Sequence, residues 1–274
     1  MPDFIFFLFL IFLLALSIFV YRFHGRKEFV KFDIVQFIYA FVVAPIIFVW
    51  FKTFLYGLLQ SELSPAVTPR TLFLIDTAFS VYFLYIFAFV VIHSLTKSFQ
   101  LKSEKDPLYD LFHHSEYFHL WLTHIITFAG IMISVTFFAV LNIFFPVPIE
   151  MSKPWFYVMM ILSVAAGGLF FIGLWMSDPR QDEANFMRIM KLLAAVLFIF
   201  LVGVYFAFSP AFNPQYMFFW VGLLAFASIV SCSAFAYKSV KVKSFFERFS
   251  ERFIPQDLLG SHFKNVQLFK KNKK

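Results

Sequence analysis

The chain is 274 residues long, and 61% of its residues are hydrophobic while only 14% are charged. Soluble domains are about 45–50% apolar and about 25% charged, so this composition excludes an ordinary soluble domain and indicates a protein surrounded partly by lipid. The net charge of +7 is typical of basic cytoplasmic loops and does not imply nucleic-acid binding, and the single cysteine excludes a disulfide framework or a cysteine-rich metal site.

Seven apolar stretches are long enough to cross a bilayer as helices, which requires about 20 residues each. Their apolar residues run continuously rather than alternating, which favours helices over outer-membrane strands. The predicted spans cover residues 4–21, 34–58, 72–96, 118–145, 155–176, 187–208 and 216–237. The sequence therefore predicts an all-α, polytopic integral membrane bundle of about seven transmembrane helices over residues 1–238, followed by a tail over residues 239–274.

Several spans carry residues that shape helix packing. Pro45 is expected to kink the second span, because proline lacks the backbone N–H that continues a helix. Small side chains allow two backbones to approach closely, and they cluster in the fifth and seventh spans. These clusters are Ser163, Ala166, Gly167 and Gly168 in the fifth span, and Ala227, Ser228, Ser231 and Cys232 in the seventh.

The basic residues predict the orientation of the chain. One set of loops, together with the tail, holds 20 of the 23 lysines and arginines, whereas the other set holds only Lys52, Arg70 and Lys153. By the positive-inside rule the basic side is cytoplasmic. Seven crossings then place the N-terminus outside and the C-terminus in the cytoplasm, and we expect the cell (plasma) membrane as the location.

The tail begins with four phenylalanines at helical spacing, and lysines follow at its end. This pattern predicts an amphipathic helix on the cytoplasmic interface, with the lysines near anionic lipid headgroups. A docking site for a partner protein is the alternative interpretation. The phenylalanines are Phe245, Phe246, Phe249 and Phe253.

Two ionisable residues fall within apolar spans on the outer side. Lys52 lies near the outer end of the second span and Asp76 near the outer end of the third. Consecutive spans are antiparallel, so the two side chains are expected at similar depth. They form either a structural ion pair or an element that couples to an ion or a proton.

Histidines concentrate around the third and fourth spans on the cytoplasmic side. His93 and His124 are predicted at similar depth in the cytoplasmic leaflet. Such a set suits a bis-histidine haem b, a divalent metal, or a proton relay, and the alternative is that interfacial histidines only anchor a helix start. The candidate metal or haem ligands are His93, His113, His114, Glu116, His119 and His124.

The sequence contains no H-E-x-x-H motif and no Walker-type loop, so we expect no enzyme. The leading hypothesis is a multi-pass membrane protein that transports or senses a small solute or ion, using Lys52 and Asp76 on the outer half and His93 and His124 on the inner half. One alternative is a cofactor protein that binds haem b or a divalent metal. Another is a subunit or scaffold that acts through a membrane partner protein or as a homo-oligomer, without nucleic acid.

Overall fold

The computed structural model describes residues 27–29, 32–59, 67–103, 122–147, 151–177 and 186–238, together with residues 12, 16, 19 and 20. Six long helices dominate these ranges. We number them α1 (Ile34–Leu59), α2 (Pro69–Ser103), α3 (His124–Phe144), α4 (Lys153–Ser177), α5 (Phe186–Phe208) and α6 (Met217–Lys238).

A short antiparallel hairpin precedes α1. Its strands are β1 (Glu28–Phe29) and β2 (Phe32–Asp33), with Glu28 opposite Asp33 and Phe29 opposite Phe32. The Asp33 carboxylate then caps α1, because its Oδ1 atom accepts from the backbone N–H groups of Val35 at 3.0 Å and Gln36 at 3.1 Å. The sequence analysis did not anticipate this hairpin.

Helix α1 contains a π-helical segment, Tyr39–Val43, between the α-helical segments Ile34–Ile38 and Ala44–Leu59. This segment ends two residues before Pro45, where the sequence predicts a kink. A proline removes one backbone donor and crowds the carbonyl four residues earlier, so a wider turn at this place relieves the conflict.

The helix ends follow from local sequence. Pro69 begins α2 directly after Thr68, whose hydroxyl accepts from the Thr71 backbone N–H at 3.2 Å. Ser209 ends α5 with a φ of 44°, which stops the helical hydrogen-bond pattern. A 3₁₀ turn, Pro214–Tyr216, capped by Asn213, then leads into α6.

Helix α6 is the centre of the bundle. It packs against α3, α4 and α5, most extensively against α4, whereas α1 pairs with α2, and α2 also contacts α3. One apolar cluster at the outer end joins α1, α2, α3, α4 and α6 and includes Trp50, Phe54, Phe138 and Met160. A second cluster joins α3 to α6 and includes Met132, Phe171, Met190 and Phe226.

Each of the six helices is long and apolar enough to cross a membrane by length and composition. Large apolar side chains also point away from the bundle, among them Ile161, Ile199 and Phe206, as expected where lipid is the solvent. The predicted spans two to seven correspond to α1–α6, with ends that differ by a few residues. Of the first predicted span, residues 12, 16, 19 and 20 are described and helical, so the count of seven and the orientation stay predictions.

The small-residue clusters meet at the interface of α4 and α6. A Cβ atom built on Gly167 would collide with the backbone oxygen of Ala225 and would lie 2.9 Å from Ser228 Cβ. The Ser228 hydroxyl donates to the Val164 carbonyl at 2.8 Å. Close approach of these helices through their small residues is therefore confirmed.

A buried asparagine joins the outer ends of α3 and α6. Asn142 donates from Nδ2 to the carbonyls of Phe145 at 3.1 Å and Gln215 at 2.9 Å. Its Oδ1 atom accepts from the N–H groups of Phe218 at 3.0 Å and Phe219 at 3.3 Å. One side chain thus satisfies backbone groups at the end of α3 and at the start of α6.

Replacing Gly167 with alanine is expected to destabilise the bundle by about 1–3 kcal/mol, because the added methyl group meets backbone that cannot move independently. Thermal unfolding in mild detergent measures the loss. The matched control is Gly173→Ala on the same helix, where no described atom lies within 4 Å of the added Cβ. Equal melting temperatures for the two variants would contradict the proposed close contact.

Asn142→Leu is expected to lose at least about 2 kcal/mol of stability, because backbone donors and acceptors at two helix ends lose their partner. Denaturant unfolding in detergent checks this loss. Thr136→Val is the control, since the buried Thr136 hydroxyl donates to the Met132 carbonyl within its own helix. If both substitutions cost the same, Asn142 does not tie the helices together.

Candidate functional site

The outer candidate site consists of three polar side chains between α1 and α2. Lys52 forms an ion pair with Asp76 and also donates to Ser80 Oγ at 2.6 Å. The Ser80 hydroxyl in turn donates to the Asp76 backbone carbonyl at 2.6 Å. The predicted meeting of Lys52 and Asp76 is therefore what the structure contains, and Ser80 is a partner that the sequence analysis missed.

The ion pair lies well inside the apolar stretches. Lys52 is seven residues before Leu59, the last residue of α1, and Asp76 is seven residues after Pro69, the first residue of α2. This spacing places both charges about 10 Å from the helix ends. Their side chains are 25% and 35% exposed on the protein surface, so each charge is partly shielded from its apolar surroundings by its partner.

Aromatic rings hold α1 in place next to this pair. Phe51 packs on Phe83 of α2 with ring centroids 4.9 Å apart and on Phe138 of α3 at 5.2 Å. Phe54 contacts Phe218 of α6 at 4.1 Å. The ion pair is consequently fixed between helices that are anchored to the central bundle.

The inner candidate site brings two imidazoles into contact. His93 of α2 and His124, the first residue of α3, have ring centroids 4.7 Å apart and planes inclined by 38°. Thr123 is buried beside them, and its hydroxyl lies 3.3 Å from His93 Nδ1. The structure thus brings His93 and His124 together as expected, while their function stays a prediction.

His124 also connects this site to the rest of the bundle. Its ring contacts Phe186 of α5 at a centroid distance of 5.8 Å and Phe128 of its own helix at 6.1 Å. A backbone hydrogen bond with Ser177 links it to the end of α4. A change at the imidazole pair is therefore felt by four helices.

The geometry bears on the cofactor hypotheses. A haem held by two histidines needs an apolar slot between the rings, and the rings of His93 and His124 are in direct contact instead. Within the described ranges, no group of three or more His, Cys, Asp or Glu side chains could hold a metal ion. His113, His114, Glu116 and His119 lie outside the described residues, as do the tail residues Phe245, Phe246, Phe249 and Phe253.

A double-mutant cycle on the outer site tests whether the two charges depend on each other. Lys52→Met and Asp76→Leu are each expected to cost about 1–3 kcal/mol, because each leaves the other charge without its partner, and the double variant is expected to cost less than their sum. Unfolding of the four proteins in detergent measures the coupling. The control is the exposed Arg70→Met, and strictly additive losses would exclude a coupled pair.

Comparison of the chain with models of known protein families, with curated proteins and with solved structures gives no significant match. The functional interpretation therefore depends on the residues and geometry described above.

Proposed function

We propose that the chain is a multi-pass membrane protein that transports or senses a small ion or solute, with the His93–His124 pair as its proton-responsive element. The observation that carries this proposal is the contact of two imidazoles from different helices, with centroids 4.7 Å apart. Histidine is the side chain whose charge ordinarily changes near neutral pH, and ionisable groups in membrane segments are rare outside functional sites.

The contact gives a proton two effects. A proton can move between rings at this separation directly or through one water molecule, which suits a relay. A second positive charge on the pair would repel the first, so proton uptake would also push α2 away from α3. The hydroxyl of Thr123 beside His93 Nδ1 helps to set the orientation of that ring.

The Lys52–Asp76 pair is the second element of the proposal. Asp76 and His93 both belong to α2 and are 17 residues apart, which corresponds to about 25 Å along the helix. That length approaches the roughly 30 Å thickness of the hydrocarbon layer. The distribution of lysine and arginine supports an orientation with the histidines on the cytoplasmic side and the ion pair toward the exterior.

Reconstitution into liposomes that contain a pH-sensitive dye tests this function. The wild-type protein is expected to dissipate an imposed pH gradient, and His93→Asn and His124→Asn are each expected to slow that flux at least about tenfold, because the relay loses one ring. For a sensor, the readout is a change in tryptophan fluorescence between roughly pH 5 and 8, which both substitutions should abolish.

Thr136→Val is again the matched control, because it removes a buried hydroxyl from α3 while leaving the imidazole pair in place. The proposal fails if the wild-type protein neither carries protons faster than empty liposomes nor changes its fluorescence over this pH range. It also fails if these responses survive loss of both histidines.

A further inference from the structure

Two buried serines on α2 stand apart from the other hydroxyls of the bundle. Ser94 is 0% exposed and Ser98 is 3% exposed, and among the residues that the structure describes neither hydroxyl has a hydrogen-bond partner. By contrast, Ser134 donates to the Gly130 carbonyl one turn earlier at 2.7 Å. A buried hydroxyl without a partner is unfavourable, so two of them one turn apart indicate a ligand.

The side of α2 that carries these serines faces α1. Residues Asp76, Ser80 and Phe83 contact α1 through Lys52 and Phe51, and Ser94 and Ser98 continue the same stripe at helical spacing. The other stripe, with Tyr82 and His93, contacts α3. Lys97 belongs to that second stripe and interacts electrostatically with His124.

The beginning of α1 lies opposite the two serines. Helix α2 contacts β2, the segment Ile34–Ile38 and the π-helical segment. Counting 16 residues in opposite directions from the Lys52–Asp76 pair sets Gln36 level with Ile92, and 19 residues set Asp33 level with Leu95. Asp33 and Gln36 are therefore at the depth of Ser94.

Both of these α1 side chains are buried and carry oxygen atoms. Asp33 is 4% exposed and Gln36 is 2% exposed. The π-helical turn contributes to this arrangement, because it lets Gln36 and Ala40 face inward while Phe41 is exposed. The interface thus combines one carboxylate with three neutral oxygen donors.

We propose that Asp33, Gln36, Ser94 and Ser98 form a binding site for one monovalent alkali cation between the start of α1 and the inner end of α2. Hard cations take oxygen ligands such as carboxylates, amide carbonyls and hydroxyls. A single carboxylate matches a single positive charge and compensates it in a buried place. The site shares no residue with the ion pair or the imidazole pair, so it does not depend on the function proposed above.

The test is thermal unfolding of the purified full chain in detergent, at constant ionic strength, in sodium, potassium or choline chloride. Sodium or potassium is expected to raise the melting temperature above its value in choline by on the order of 3 °C, with saturation as the site fills. The double variant Ser94→Ala, Ser98→Ala and the single variant Asp33→Asn are each expected to abolish this rise. Asparagine still caps α1, so Asp33→Asn removes the charge selectively.

Ser163→Ala is the control, since the buried Ser163 hydroxyl donates to the Met160 carbonyl at 2.7 Å, and this variant should keep the full salt effect. Binding of radioactive sodium to the wild-type protein is an independent measurement, with one ion per chain expected. Equal melting temperatures in all three salts, or no bound sodium, would overturn the proposal and leave only a buried water between the serines.

Discussion

The structure depends on satisfying every polar group inside a lipid-facing bundle with a partner from a neighbouring helix. Lipid offers no hydrogen bonds, so each charge, hydroxyl or uncapped helix end must find its partner within the protein. Lys52 and Asp76 satisfy this constraint between α1 and α2, the two imidazoles between α2 and α3, and Asn142 between α3 and α6. The polar contacts therefore specify which helices are neighbours, a choice that the abundant phenylalanines alone would leave poorly determined.

Close backbone approach is the second way in which this bundle selects neighbours. The transfer of apolar side chains from lipid to protein gives little net driving force, so association relies on dense packing. Gly167 provides it by bringing α4 against the backbone of α6 at Ala225. Helix α6 then serves as a rigid centre for α3, α4 and α5, whereas the pair α1 and α2 is attached through aromatic contacts such as Phe51 with Phe138. The candidate sites all lie in this peripheral pair or where it meets α3.

Much of this arrangement could be predicted from sequence, because uninterrupted apolar runs and antiparallel connections fix depth. Equal depth was enough to pair Lys52 with Asp76 and His93 with His124. The rest depends on rotation about a helix axis and on contacts distant in sequence, which composition does not encode. Asn142 gave no signal in its apolar span, since its partners at Phe218 and Phe219 are more than 70 residues away. The π-helical turn before Pro45 was also not anticipated, although it determines which face of α1 carries Gln36.

Helix α2 connects the polar features that the bundle contains. Its stripe with Asp76 and Ser80 meets α1, and its stripe with Tyr82 and His93 meets α3, where the Tyr82 hydroxyl donates to the Gly130 carbonyl at 2.9 Å. A rigid helix cannot move at one stripe without moving at the other. A displacement of α2 from α3 at the imidazole pair would therefore also shift Asp76 relative to Lys52, so that the inner and outer sites respond together. The two sites are mechanically coupled through the one helix that they share.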